Sequence, residues 1–259
     1  MVLFCQVDVT GRAEAEPAAE VLARNILRYV SGWMPSPRRN VLYAGDPAGK
    51  KHLQSAGLAP TTYATHHLTT DRLLIVGPGG GKELASDAEV LAKWVKDGGH
   101  VLALGLDGAE AEACLPSKVT TQKREHTATY FEPPEFNSVF AGIGPADVHN
   151  RDPRELFLVT AGATVLGNGI LAKADNANVI FCQFVPWQFD AKQQTNLKRS
   201  FRRSSVLVTR LAANMGAAGA TPLLARFRTR GGENEKRWLD GLYLDAPEEW
   251  DDPYRFFRW

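Results

Sequence analysis

A short phrase occurs twice in this chain and limits what the chain can be. Val2-Leu3-Phe4-Cys5-Gln6 returns as Val179-Ile180-Phe181-Cys182-Gln183. Each copy is an apolar run with β-branched residues, the composition of a strand covered on both faces in a parallel sheet. Each is also followed by a helical stretch, PAAEVLARNILRYV over Pro17–Val30 and TNLKRSFRRSSVLVTRLAANM over Thr195–Met215. The helices echo one another, Val21-Leu22 with Arg24 and Ile26 against Val206-Leu207 with Arg210 and Leu211. A strand-plus-helix unit repeated at long range predicts two related α/β domains, the first of which has lost everything before its last strand. The chain is therefore expected to be the tail of something larger, and a tail need not carry the chemistry.

The 259 residues, 44% hydrophobic and 23% charged, suit an ordinary globular protein, and nothing in them suggests disorder. A net charge of +1 exerts no global pull on nucleic acid or on an anionic membrane, so neither is an expected partner. The densest basic group, Lys198, Arg199, Arg202 and Arg203, covers more than one side of a helix and reads as a solvated face. Cys5, Cys114 and Cys182 are too scattered for a zinc site or a disulfide framework and read as small buried hydrophobes. No run approaches the length of a membrane span, and the start has no basic region leading into an apolar one. The chain as given thus has no signal peptide or transmembrane segment, and its location stays unassigned.

Along the chain, Pro17 opens a helix that Gly32 stops, and WMPSPRR over 33–39 reads as a linker. A second unit begins at Asn40. Val41–Ala44 is a short strand, Pro47–Ala56 a helix ended by Gly57, and Thr61–Ala64 another strand. Asp71–Val76 is a buried strand leading into Gly77-Pro78-Gly79-Gly80-Gly81, after which Ser86 and Glu89 form a capping box. Val90, Leu91, Trp94 and Val95 line one helical face, Gly98-Gly99 ends that helix, and His100–Leu106 is the next strand. A parallel, right-handed crossover is expected for this unit. From about Glu110 to Asn150, prolines break the pattern into loops and short strands. Leu156–Thr160 and Thr164–Leu166 read as strands, with Gly167-Asn168-Gly169 as a hairpin turn and Ile170–Ala174 as the return. The segment from Arg226 on is acidic and aromatic.

Several candidate sites fail on spacing. The glycines from Gly77 to Lys82 fit neither the Walker pattern nor the dinucleotide fingerprint, so no nucleotide cofactor is expected. His52, His66, His67, His100, His126 and His149 form no pair at metal-site spacing and read as surface or loop residues, with His66 and His67 pointing to opposite faces if extended. No Gly-x-Ser-x-Gly elbow is present. Glycoside hydrolysis needs two flanking carboxyl groups. Asp107, after a strand at the expected carboxyl edge of the sheet, and Glu132 and Glu135, near Tyr130, Phe131 and Phe136, are the catalytic candidates. Gln183, Trp187, Gln188 and Asp190 leave a buried strand with amides, a carboxylate and an indole, groups that bind sugars by stacking and planar hydrogen bonds. Trp187 suits a plain cover for the sheet edge better than it suits a ligand role.

The stretches DRLLIVGPGGG and SDAEVLAKWVKDGGHVLALGLDG resemble the class I glutamine amidotransferase-like fold, in particular the degenerate versions attached to large bacterial glycoside hydrolases such as the trimerisation domain of family 42 β-galactosidases. FAGIGPADVHNRD, VIFCQFVPWQFD and LYLDAPEEWDDPYRFFRW are similar to C-terminal parts of multidomain glycoside hydrolases of family 2 type organisation. The resemblance implies an α/β fold, a mostly parallel sheet flanked by helices, flavodoxin-like and amidotransferase-like. It covers residues 40–225 as a complete domain, with 1–33 as a strand-helix remnant of a related upstream domain and 226–259 as a tail. Amidotransferases of this class place a nucleophilic cysteine on the turn after the strand that corresponds to His100–Leu106. Here that turn reads Gly105-Leu106-Asp107-Gly108, so glutaminase chemistry is expected to be absent. The implied role is a noncatalytic accessory or assembly domain of a carbohydrate-active enzyme, needing no cofactor or metal. Carbohydrate, further copies of the chain, or other domains of a parent enzyme are its expected partners. The alternatives are a free-standing glycoside hydrolase and an oligomerisation module.

Overall fold

The computed structural model describes residues 16–32, 38–190, 194 and 197–217. The expected strand at Val2–Val7, the linker core and the tail from 226 lie outside them, as does Cys5. The chain divides into two units, Met1–Pro37 and Arg38–Trp259. The first contributes one described element, helix α1 (Pro17–Gly32), which has no buried residue. Pro17 sits in its first turn, where a missing N–H costs nothing, and Arg24 pairs with Glu20 one turn earlier.

Among its described residues, the second unit is built on a seven-stranded sheet. Its strands in chain order are β1 (Asn40–Ala44), β2 (Thr61–Thr62), β3 (Arg72–Val76), β4 (His100–Leu104), then β7 (Ala163–Leu166), β8 (Leu171–Ala174) and β9 (Val179–Cys182). The spatial order is β2-β1-β3-β4-β9-β8-β7. The first five are parallel, and β8 and β7 close the far side as antiparallel strands. The parallel part has the 2-1-3-4-5 order of a flavodoxin-like sheet, with β9 as its fifth strand, so the connection reverses direction between β1 and β3. Strands β5 (Thr120–His126) and β6 (Arg154–Ala161) form a separate antiparallel ribbon.

Helices cover both faces. The apolar runs of β1, β3, β4 and β9 alternate between two cores, because successive side chains on a strand point to opposite faces. Val41, Tyr43, Leu73, Ile75, Leu102, Leu104, Ile180 and Cys182 pack with Leu53 of α2 (Pro47–Ser55) and Leu207, Val208 and Leu211 of α6 (Lys198–Asn214). Leu42, Ala44, Leu74, Val76, Val101, Ala103, Val179 and Phe181 pack on the other face. There they meet Leu84 of α3 (Gly80–Leu84), Leu91, Trp94 and Val95 of α4 (Ala88–Lys96), and Ala111 and Cys114 of α5 (Gly108–Cys114). The expected α/β fold with a mostly parallel, helix-flanked sheet is what forms.

Local readings differ in places. Ser86 and Glu89 make no capping box: a short helix, α3, and a 3₁₀ turn over Ala85–Asp87 precede α4, whose start has no side-chain cap. The Asp87 carboxylate is drawn away, accepting from Tyr63 Oη at 2.9 Å and Thr65 Oγ1 at 2.8 Å. Val90 is exposed, so the buried stripe of α4 is Leu91, Trp94 and Val95 alone. The stretch read as loops and short strands contains α5 and the seven-residue β5. His66 and His67 sit in a 3₁₀ turn with rings 4.1 Å apart rather than on opposite faces. His52 and His126 are buried, not surface residues; His126 Nε2 bonds the Val148 carbonyl at 2.7 Å. The hairpin between β7 and β8 forms as read, with Asn168 at φ 59°. No described helix is long and apolar enough to cross a membrane.

Candidate functional site

In an open parallel sheet, ligands bind beyond the carboxyl ends of the strands, at the point where the connections reverse. Here that point lies between Gly45-Asp46 after β1 and Gly77-Pro78-Gly79 after β3. The turn after β4, Gly105-Leu106-Asp107, and the segment after β9 flank it.

The chain fills this place with its own groups. Tyr43, near the end of β1, carries its hydroxyl out to the strand ends, where it lies against Gly45, Gly49 and Gly77; a Cβ at any of the three would collide with it. Burial, followed by the neighbouring Asp46 carboxylate, pushes its phenol well above the usual tyrosine range. Asp46 caps α2: its Oδ1 accepts from Gly49 N–H at 2.6 Å, and Pro47 follows at the first helical position. The same Oδ1 accepts from Tyr43 Oη at 3.4 Å, and Oδ2 accepts from Trp187 Nε1 at 3.0 Å. The Trp187 indole thereby lies across α2, its ring 5.6 Å from that of His52, which in turn meets Phe201 edge-on at 5.7 Å. His52 is buried and its Nε2 has no partner among the described residues. Burial lowers its pKa to about 4.

Carboxylates hold the loop amides. Gly45 N–H donates to Glu83 Oε2 at 3.1 Å, and Gly79 N–H donates to Glu110 Oε1 at 3.2 Å. These are the backbone donors that an anionic ligand would otherwise meet at a strand end. Asp107 is the N-cap of α5, accepting from Glu110 N–H at 2.8 Å. Among the described residues no thiol stands nearby in reactive form. Cys182 and Cys114 are both buried, and burial pushes each thiol up to about 12. Among the described residues no group of three or more His, Cys, Asp or Glu could hold a metal ion.

The residues singled out by sequence scatter over this edge and beyond it. Asp107 holds a helix start. Glu132 is exposed and accepts from Tyr130 Oη at 2.7 Å. Glu135 is exposed too, and its backbone carbonyl accepts from Ser138 N–H. No hydrogen bond joins Asp107 to either glutamate among the described residues. Gln183 is buried, and neither polar atom of its side chain has a partner among the described residues. Gln188 is exposed beside a cavity of about 140 Å³ with Arg154, Phe184 and Phe189, where the guanidinium of Arg154 lies 4.3 Å over the Phe189 ring. Asp190 is exposed. Sequence reading passed over Tyr43, Asp46, Glu83 and Glu110, and took His52 for a surface or loop residue. Only Asp46 carried a local signal, an acidic residue directly before Pro47 at a helix start.

No protein family matches the chain. No curated protein matches it either. Solved structures it is similar to include a protein from Thermoplasma acidophilum described as a subunit of GMP synthase, at 12% identity over 69% of this chain and 97% of that one, with a TM-score of 0.39. An α-L-fucosidase isoenzyme 2 from Paenibacillus thiaminolyticus is similar at 13% identity over 81% of this chain, with a TM-score of 0.38. The β-galactosidase from Rahnella sp. R3 is similar at 14% identity over 82%, with a TM-score of 0.37. The matched region spans 38% of the fucosidase chain and 36% of the β-galactosidase chain.

Proposed function

We propose that this chain is a noncatalytic accessory or assembly domain of a carbohydrate-active enzyme, a glycoside hydrolase. One observation carries the noncatalytic part. At the reversal point of the sheet, the Asp46 carboxylate accepts from both Tyr43 and Trp187, and Glu83 and Glu110 occupy the amides of Gly45 and Gly79. A hydrolytic site needs an accessible acid pair with room between its members. Asp107 instead serves as a helix cap, and the turn it belongs to carries no cysteine. The carbohydrate part draws on the sequence resemblance and on the segment from Gln183 to Asp190, in which exposed Gln188 borders a small aromatic-floored cavity.

The test is turnover by the purified chain. A panel of aryl glycosides and glutamine itself should give rates indistinguishable from buffer. Aryl glycoside hydrolysis that disappears in Asp107→Asn, Glu132→Gln or Glu135→Gln would overturn the proposal and make the chain a free-standing hydrolase.

A further inference from the structure

Among the described residues, strand β5 pairs with β6 on one side only. In an antiparallel ladder the N–H and C=O of one residue point the same way, and successive residues alternate. Val159 N–H donates to the Gly169 carbonyl at 3.0 Å, so Val159 and its register partner Thr121 turn their backbone groups away from each other. Consistently, the Thr121 nitrogen faces Gly108 at the start of α5. By alternation the N–H and C=O of Lys123 and Glu125 also point outward, and among the described residues neither is bonded there. Both side chains are exposed.

The side chains add a second observation. Glu125 stands directly opposite Glu155 in the register, a like-charge pair. Glu155 is relieved by Lys123 at 2.6 Å, while Glu125 makes no ion pair among the described residues. Charge on an edge strand ordinarily guards it against pairing. Here the guard is self-complementary: Lys123 and Glu125 are two residues apart, on one face, and both turn their backbones outward.

We propose that β5 pairs antiparallel with β5 of a second copy across a two-fold axis through Arg124. In that register Lys123 lies opposite Glu125 of the other copy, and their N–H and C=O groups bond reciprocally. A register centred on Lys123 or on Glu125 would set like charges together, so the charge pattern selects the one centred on Arg124. Arg124 then meets its own copy on the opposite face, a repulsion that keeps the association weak. The proposal supplies a partner for the assembly part of the function above and rests on that part only. Its failure would leave the absence of turnover untouched, and turnover would leave the pairing untouched.

Sedimentation velocity of the whole chain at low ionic strength, up to millimolar concentration, tests it. A monomer–dimer equilibrium is expected, weakened about tenfold or more by Glu125→Lys, which turns two attractive cross-strand pairs repulsive. Lys123→Glu combined with Glu125→Lys should restore the dimer to within a few-fold, and Arg124→Gln should tighten it. Glu125→Pro removes only an outward N–H, so it should weaken the dimer while leaving the thermal melt nearly unchanged. A monomer at every concentration, a dimer indifferent to these changes, or a charge swap that fails to restore it would each overturn the proposal.

Discussion

His52 shows what a single buried residue imposes on the whole protein. Its ring is held between Trp187 and Phe201, and its Nε2 has no acceptor or donor among the described residues. Protonation there must be accommodated without a counter-charge, which is why burial brings its pKa from 6.5 to about 4. The unfolded chain binds this proton more tightly than the folded one. The stability that a neutral His52 contributes is therefore fully present above about pH 6.5 and lost progressively as the pH falls toward 4, by at most about 3 kcal/mol. Urea unfolding at a series of pH values measures the slope. His52→Leu, close in size and without a titrating group, should flatten it across that interval. An unchanged slope would mean that another group titrates there. Nothing in the sequence around His52 foretells this. Trp187 and Phe201 come from the far end of the chain, and only the fold lays them on α2.

At the scale of elements, apolar runs made β1, β3, β4 and β9 legible, because strands buried on both faces must be apolar throughout. β5 was not legible, since TTQKREH has no alternation: the strand exposes nearly all its residues and relies on β6 for its ladder. The capping box failed for a different reason. The 3₁₀ turn over Ala85–Asp87 takes Ser86 out of the cap position and leaves Asp87 at the start of α4, where Tyr63 and Thr65, far outside the local window, hold its carboxylate. The hairpin after β7 was legible from Gly167-Asn168-Gly169, and it also ties the ribbon to the sheet through the Val159–Gly169 bond. Gly169 has φ 89°, and a Cβ there would run into the Val159 backbone. Gly79 has nearly the same φ, 80°, with open space around it. Left-handed strain alone costs about 1–2 kcal/mol, so Gly79→Ala should cost that much and Gly169→Ala clearly more, about 3 kcal/mol or above. Chemical denaturation of both variants gives the difference, and equal losses would show that the Val159 contact is not tight.

At the scale of the molecule, the second unit closes on itself. Arg39 N–H donates to the Gly216 carbonyl at 2.7 Å, its guanidinium donates to the Met215 carbonyl at 2.8 Å, and Arg39 forms a parallel bridge with Ala217. The beginning of this unit is thus clasped to the end of α6, next to β1. The edge that sequence marked as a candidate site follows the same long-range logic. Trp187 was legible as a residue of interest, yet its role is set by Asp46, 141 positions away. Helix α1, by contrast, buries no residue, and the chain divides between Pro37 and Arg38. Among the described residues, the two cores draw their members from Val41 onward. Removing residues 1–37 should therefore leave the thermal transition of the remainder within a few degrees of the full chain. Removing residues 1–39 also takes the clasp, whose hydrogen bonds contribute about 1 kcal/mol each, and should lower the stability by about 2–3 kcal/mol. Circular dichroism melts of both truncations distinguish these outcomes. A shorter cut that already abolishes the transition would mean that the first unit is needed for the second to fold, and that the repeat at Val2–Gln6 belongs to the same structure as its partner at Val179–Gln183.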